Sequence, residues 1–511
     1  MTILTATIHA LNRPRLRRLD DCKRRPHAYQ QTIFQSLLNA GRETTFGKQH
    51  RFADLSTLEQ FQQRVPLHEY DQLKPYIDRM RQGEPKVLWN TPVRWFAKSS
   101  GTTADKSKFI PVSRESLLRC HYRGARAVLA CYLENNPKSK LFNGKNMTLG
   151  GSHQPEENKT CSHGDISAIL IRHSPWYAEL TRTPSREVTL IPDFETKIQR
   201  MADTTIRQNV TSFAGVPSWN LVLLKRILEV AGKRHLLEVW PNLELFMHGG
   251  ISFTPYREQY SRLIPSEHMH YLEIYNASEG FFALQDDLND PALLLLTDVG
   301  VLYEFIPMNR LADAQNGSFT AFDTIETVKT GVNYAMVITT NGGLWRYLIG
   351  DTVMFASTSP HKIKITGRTR HFINAFGEEL IVDNAIAALA AACRATGAQV
   401  AHYTVAPVFM DASAKGCHEW LIEFDTPPPD RDAFADRLDA ELCNVNSDYE
   451  AKRAKNTTLN RLILTVLPAG SFYEWMRRRG KLGGQNKIPP LSTTRQYAEA
   501  LKEVAGDRKE R

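Results

Sequence analysis

The sequence predicts an α/β fold: a large N-terminal domain of mixed sheets and helices, then a smaller α+β domain. Three observations carry this. Apolar stripes spaced at three to four residues alternate with short apolar runs that end in glycine turns. The 511 residues suffice for two to three domains at about 150 residues each. Composition changes near Gly367, where a strand pattern gives way to an alanine-rich helix, so the boundary falls between residues 1–366 and 367–511.

The first ninety residues read mostly as helix. LHEYDQLKPYIDRMRQGE has helical apolar spacing and ends near Gly83. VRWFAKSS reads as a strand feeding a polar loop. From Arg114 to Glu134 a helix returns, with Leu117, Leu118, Tyr122, Ala125, Val128, Leu129 and Tyr132 on one stripe. Residues 185–240 read as largely helical, and VPSWNLVLLKRILEVAG has Pro217 in its first turn and Gly232 past its end. LELFMHGG and HYLEIYNASEG each read as a strand running into a turn, the second turn at Asn276 to Gly280. LLLLTDVGVLYEFIPM contains strands, and GVNYAMVITTNGGLWRYLIGDTVMF reads as two strands joined at Asn341-Gly342. Beyond Gly367, HYTVAPVFM and HEWLIEFD supply strands and FADRLDAELCNVNSDYEAKRA a helix.

Composition excludes several classes. Hydrophobic residues make up 42% and charged residues 23%, the balance of a folded globular chain. No apolar run approaches the roughly 18 residues that cross a bilayer. The start, MTILTATIHALNRPRLRRLDD, places its apolar stretch before its arginines, the reverse of a secretory signal, so a cytoplasmic chain is expected. The seven cysteines form no CxxC pair, which argues against a disulfide framework or a structural zinc. The net charge of +9 comes with basic runs near the ends, RPRLRR and MRRRGK, and no nucleic-acid motif accompanies them. Solvated helix faces account for them, with a general attraction for anionic substrates.

Four stretches carry chemistry. SSGTTADKSKFIP lacks the Walker pattern but follows its logic: glycine for close approach, hydroxyl and N–H donors, and a lysine for charge. Alone it reads equally well as a polar surface loop. YNASEG places a glutamate on the turn after a strand, suited to Mg²⁺ or equally to a helix cap. WRYLIGD reads as a strand that ends in Gly-Asp, leaving an exposed carboxylate that suits ribose hydroxyls or an ordinary strand-ending turn. TGRTRHFINAFGEEL sets a basic cluster between glycines at the domain boundary, a hinge or a solvated linker.

Their order is more specific than any one of them. SSGTT…K, GG, YxxSEG, YxxGD and GRxxxxxxxxGE succeed one another as in the acyl-adenylate-forming superfamily of firefly luciferase and the acyl-CoA synthetases. KFIP after SSGTT, VTSFAGVPSWNLVLL, HFINAFGEEL, NVNSDYEAKR and GGQNKIPP narrow the likeness. Over nearly its whole length the chain resembles the auxin-responsive Gretchen Hagen family of acyl-acid amido synthetases.

The resemblance implies a luciferase-like large domain and a small, mobile domain that rotates between two half-reactions. First a carboxylate attacks the α-phosphate of ATP, giving an acyl-adenylate and pyrophosphate; then an amino acid amine takes the acyl group and AMP leaves. ATP and Mg²⁺ are the implied cofactors, and a small carboxylic acid and an amino acid the partners, with no nucleic acid and no membrane. By motif, Ser99, Ser100, Gly101, Thr102 and Thr103 would wrap the phosphates beside Lys108. Gly249, Gly250, Tyr275 and Ser278 would surround the adenine end, and Glu279 would hold Mg²⁺. Asp351 would bind the ribose and Arg368 would sit near ribose or phosphate. Lys487 would reach the α-phosphate, although Ile488-Pro489-Pro490 replaces the Pro-Arg that often follows in the family. Arg370 stands where luciferase relatives place an acidic or lysine hinge residue. Phe213, Val216, Trp219 and Tyr347 would line the acyl pocket, with core packing as the competing reading for each. His248, His268, His270 and His371 are scattered and read as structural. An acyl-CoA ligase shares the first step and is the alternative, although GGQNKIPP is not the PKTxxGK-type segment of such ligases. A non-catalytic nucleotide-binding or scaffold protein is the alternative of another class.

Overall fold

The computed structural model describes residues 3–99, 108–151, 160–369, 372–373, 380–408, 416–453, 459–482, 488–492 and 494–509. They form two compact units: residues 1–250 with 266–365, and residues 251–265 with 366–511.

The first unit is built on an eleven-stranded sheet. Its parallel side runs Arg182–Thr183, Lys145–Thr148, Val210–Gly215, Leu245–Gly249, His270–Asn276. The order continues through Phe281–Leu284, Leu293–Leu295, His361–Arg368, Tyr347–Thr358, Asn333–Thr340 and Val301–Pro307, with antiparallel pairing wherever the register is defined. Helices Phe194–Thr205 and Pro217–Ala231 belong to the crossovers of the parallel side, as parallel strands require. A second, three-stranded sheet pairs Trp95–Ser99 antiparallel with Lys108–Val112 and parallel with Ser162–Gly164.

The N-terminal helices Ile3–Arg24, Pro26–Gly41, Leu58–Arg64 and Tyr70–Arg81 start and stop where their residues dictate. Pro26 opens the second, and Thr57 with Gln60 forms a capping box on the third. Gly83, at φ +92°, follows the fourth. The short turns between the second and third of these helices pack aromatic rings round the fully buried Trp345, with Phe46 stacked at 6.1 Å and Phe52 edge-on at 4.8 Å. Gln30 meets the outermost strand of the sheet: its Nε2 donates to the Val301 carbonyl at 2.9 Å, and its Oε1 accepts from the Tyr303 amide at 3.0 Å.

The second unit carries the three-stranded sheet Gln399–Val408, Cys417–Thr426, Ile463–Leu467 and the short pair Phe372–Ile373 with Leu380–Ile381. Helices Val382–Thr396 and Arg431–Val445 bury Leu389, Phe434 and Leu438 in its core, which also holds Trp420. Gly397, in the left-handed region at φ +71°, ends the first of them.

Four expectations need correction. Residues 185–240 are not all helical: Val210–Gly215 is a strand in the middle of the parallel side, and Phe213 lies on it. VTSFAG is short and buried at four successive residues, polar Thr211 and Ser212 included, so it shows no polar–apolar alternation to mark a strand. The Arg114–Glu134 helix contains a wider π turn at Leu117–His121, and Leu118 is 51% exposed rather than on the buried stripe. The strands around Asn341-Gly342 are joined by a loop over residues 341–346, wider than a two-residue turn. The helix read over FADRLDAELCNVNSDYEAKRA is two, Arg431–Val445 and Ser447–Arg453, parted at Asn446. All seven cysteines are free thiols, and burial pushes Cys22, Cys120, Cys131 and Cys393 up to about 12. No described helix is long and apolar enough to cross a membrane.

Candidate active site

Parallel strands end on one edge, and in open α/β sheets ligands bind outside those carboxyl ends, where strand order reverses. Here that edge carries Gly215, His248-Gly249-Gly250 and Tyr275-Asn276. Gly215 lies beside His248, and Gly249 beside Ile274. Next to them strand direction switches, with Tyr275 opposite Ala283 in an antiparallel pair. Between these strands Ala277 and Gly280 exchange backbone bonds of 2.8 and 3.3 Å, a tight turn with Ser278 and Glu279 at its tip. Ser278 is buried and Glu279 half-buried.

Asp351 reaches this edge from 76 residues away. The Tyr275 hydroxyl donates to its Oδ2 at 2.7 Å. The local backbone explains the placement. Ala335 pairs with Thr352 and Val337 with Leu348, so four steps on one strand face two on the other, a bulge. Gly350 sits within it at φ +90°, a conformation that favours glycine. Bulges re-aim side chains, and this one sets the carboxylate of Asp351, which is 6% exposed, against the Tyr275 hydroxyl. The Tyr275 ring packs edge-on against Phe282 at 5.0 Å.

Other expected residues distribute as follows. Ser99 and Lys108 face each other as the last pair of the Trp95–Ser99 and Lys108–Val112 ladder. Tyr70 supports them: its hydroxyl accepts from the Phe109 amide at 2.8 Å, and the Lys108 ammonium lies 5.6 Å from its ring. Gly249 is required by packing, since a Cβ there would stand 2.4 Å from the Ile274 carbonyl oxygen. Gly250 follows it on the exposed side of the edge. Val216 is half-buried at the junction of the Val210–Gly215 strand and the next helix, and Trp219 packs edge-on against Phe194 at 5.1 Å. Phe213 stacks on Phe246 at 4.3 Å; it and Tyr347 are both 0% exposed, so they present no surface here. Arg368 ends its strand, half-buried, and belongs to the second unit. Ser100, Gly101, Thr102, Thr103, Arg370, His371 and Lys487 lie outside the described residues.

Two buried cations have no local signature in the sequence. Lys197 is 1% exposed and donates to the carbonyls of Gly150 and Gly151 at 3.3 Å, just past the carboxyl end of the Lys145–Thr148 strand. Burial pushes its ammonium down to about 8, against the pull of Asp165. In KIQRM it reads as a surface lysine. Arg346, 1% exposed at φ +41°, meets Glu304 at 2.9 Å and donates to the Gln62 and Val65 carbonyls at 2.7 and 2.6 Å. It ties the Leu58–Arg64 helix to the loop that leads into the Asp351 strand. A left-handed non-glycine residue stores strain that the surroundings must hold.

Family models match in three consecutive blocks: the GH3 family N-terminal domain over residues 15–269, its central domain over 294–368 and its C-terminal domain over 382–496. The chain belongs to the GH3 family. Similar GH3 proteins include the indole-3-acetic acid-amido synthetase GH3.4 of Arabidopsis thaliana, 23% identical over 93% of this chain and 90% of that one. GH3.8 of Oryza sativa subsp. indica, a synthetase of the same name, is 23% identical over 95% and 92%. Among solved structures, the GH3.15 acyl acid amido synthetase superposes with a TM-score of 0.78 at 16% identity, covering 96% of this chain and 95% of that one. A 2-hydroxyisobutyryl-CoA ligase in complex with an acyl-AMP superposes at 0.60 and 13% identity, over 95% and 92%. The GH3 chain thus has the fold of adenylate-forming enzymes.

Proposed function

We propose that this chain is an ATP- and Mg²⁺-dependent acyl-acid amido synthetase. It activates a small carboxylic acid as an acyl-adenylate and passes the acyl group to an amino acid amine, releasing pyrophosphate and AMP. Family membership supports the reaction class, and the Tyr275–Asp351 hydrogen bond at the carboxyl edge is the observation that carries the site.

The donor set fits a nucleotide. Asp351, oriented by Tyr275, would accept the ribose hydroxyls. Ser99, Lys108 and the Ser100–Thr103 loop would hold the phosphates, with Gly250 and Ser278 beside the base. Glu279 offers the oxygen ligand that Mg²⁺ prefers, with substrate phosphates as the others. The metal would neutralise charge as two anions meet. Val216 and Trp219 would wall the acyl pocket. Residues 1–366 would form the adenylation domain and 367–511 the lid, which brings Arg368 and Lys487 to the nucleotide. A cytoplasmic location belongs to this reading.

The test is a matrix of carboxylic acids against amino acids and CoA, read by pyrophosphate exchange into ATP and by AMP release. Exchange that needs both an acid and Mg²⁺, followed by amide formation, is expected. No exchange with any acid would reject the enzyme, and turnover with CoA but no amine would make it an acyl-CoA ligase. Asp351→Ala should weaken ATP binding about tenfold or more, since hydrogen bonds to a charged group contribute ~1.5–3 kcal/mol. Unchanged affinity would remove the ribose assignment.

A further inference from the structure

A cleft of about 660 Å³ opens in the first unit between the first two helices, the Trp89-Asn90 turn, the helical run after Arg114 and the loops at Asp298 and Asn341. Small-molecule sites span ~300–1,000 Å³. The cleft lies away from the candidate active site. Its Asn341 loop is anchored by Ser113, whose hydroxyl donates to the Asn341 carbonyl at 2.6 Å. Ser113 follows the Val112 end of the hairpin, whereas Ser99 and Lys108 close the other end.

Charge in the cleft is unbalanced. Asp298 is occupied: Arg15 meets its two oxygens at 2.5 and 3.1 Å, and Arg18 Nε donates to Oδ2 at 2.7 Å. Arg25 is held by Asp21. Arg123 donates to the Asp298 backbone carbonyl at 2.7 Å. Burial lowers its guanidinium pKa; Asp298 opposes this, and Arg18, Arg15 and Arg119 add to it. Arg119 is exposed and forms no hydrogen bond or ion pair among the described residues. Glu115 also lines the cleft, one helical turn before Arg119, and its carboxylate accepts from the Thr91 hydroxyl at 3.1 Å and the Trp89 indole N–H at 3.4 Å. Against Glu115 and Asp298 stand the guanidiniums of Arg18, Arg25, Arg119 and Arg123, so the lining is net positive.

A second observation is independent of charge. Asn341 lines the cleft and is 6% exposed, yet its Oδ1 has no hydrogen-bond partner among the described residues. A buried acceptor left unmade carries a desolvation cost, which a donor on a bound molecule would remove. A merely solvated basic face does not account for it. Ile33, Leu37 and Ala40 give the wall an apolar strip, beside the polar Thr32, Ser36 and Asn90.

We infer that this cleft binds an amphipathic organic anion. Its carboxylate or phosphate head meets Arg119 and Arg123, its apolar body lies on Ile33, Leu37 and Ala40, and a donor on that body meets Asn341. Titration calorimetry of the full chain with N-octanoylglycine and with octyl phosphate tests this. Saturable binding of at least one is expected, weakened about tenfold by Arg119→Glu and kept by Arg119→Lys, with basal pyrophosphate exchange unchanged. Asn341→Leu should weaken N-octanoylglycine, which carries an amide N–H. Tighter N-octanoylglycine marks a carboxylate ligand, tighter octyl phosphate a phosphorylated one. The inference is overturned if neither binds, if inorganic phosphate binds as well as octyl phosphate, or if Arg119→Glu leaves affinity intact. Arg119 is exposed, so its variants test the site even where Asn341→Leu fails to fold.

Discussion

The buried carboxylates Glu304 and Asp298 of the first unit each anchor an arginine network, and the two differ in stoichiometry. At Glu304 one guanidinium meets one carboxylate, both at 2% side-chain exposure or less, and Gln62 adds a bond of 2.9 Å. Arg346 spends its other donors on backbone carbonyls. At Asp298, Arg15 and Arg18 share one carboxylate, with Arg123 on its carbonyl and Arg119 beside Arg123. Balanced and closed, the first network holds a loop in place. The second has charge to spare and opens on a cleft. Saturation, rather than burial alone, separates an arginine that holds structure from one that can meet a ligand.

The largest expected effect breaks the closed network. Arg346→Met leaves Glu304 buried without its cation and should cost about 3–5 kcal/mol in denaturant unfolding. Adding Glu304→Leu should recover most of it, a coupling that a double-mutant cycle measures. The same loop carries a pH dependence. His68 shares a hydrogen bond of 3.0 Å with the Trp345 carbonyl, and burial pushes its ring down to about 4, as it does His121. Both are neutral in the fold, while the unfolded chain protonates them below about pH 6.5. Unfolded chain then binds more protons, so stability should fall as pH drops from about 6.5 toward 4, by up to about 3 kcal/mol per ring. A pH series of unfolding curves checks this, and His68→Gln should flatten it.

Smaller effects sharpen the open side. Burial disfavours the Asp298 charge, yet Arg15 and Arg18 outweigh that and hold its carboxyl below the usual range. Asp298→Asn should cost on the order of 2 kcal/mol, and sulfate should restore part of it by standing in for the lost anion. Sulfate should leave Arg346→Met unchanged, because nothing there is open to it. Arg119→Ala should move stability by no more than about 0.5 kcal/mol, since it is exposed and has no described partner. A larger loss in thermal unfolding would make it a structural residue.

Much of this was legible where local chemistry dictates conformation. Gly83, Pro217, Gly232 and the Asn276–Gly280 turn stand at element ends as read. YLIGD reads as a strand end, but the strand continues to Thr358 through a bulge at Gly350, and Asp351 is buried within it rather than exposed at its tip. Val210–Gly215 was hidden because burial on both faces removes alternation. Lys197 and Arg346 were hidden for another reason. Their neighbours are carbonyls and a glutamate brought in from tens of residues away, and no local pattern records that. The Tyr275 hydroxyl falls between: the motif named the residue, while its bond to Asp351 needed the fold.

Gln30 has a consequence for how copies of this chain meet. The outermost strand, Val301–Pro307, bridges to Asp323 at Phe305, and its first residues would otherwise present unpaired backbone groups to a passing strand. One side-chain amide takes the Tyr303 N–H and the Val301 carbonyl, as a neighbouring strand would. At the far side the last strand, Arg182–Thr183, is two residues long, too short to serve as a template. Both margins of the eleven-stranded sheet are thereby blunted against stacking on their own kind, one of them by a glutamine and the backbone bridge between Phe305 and Asp323.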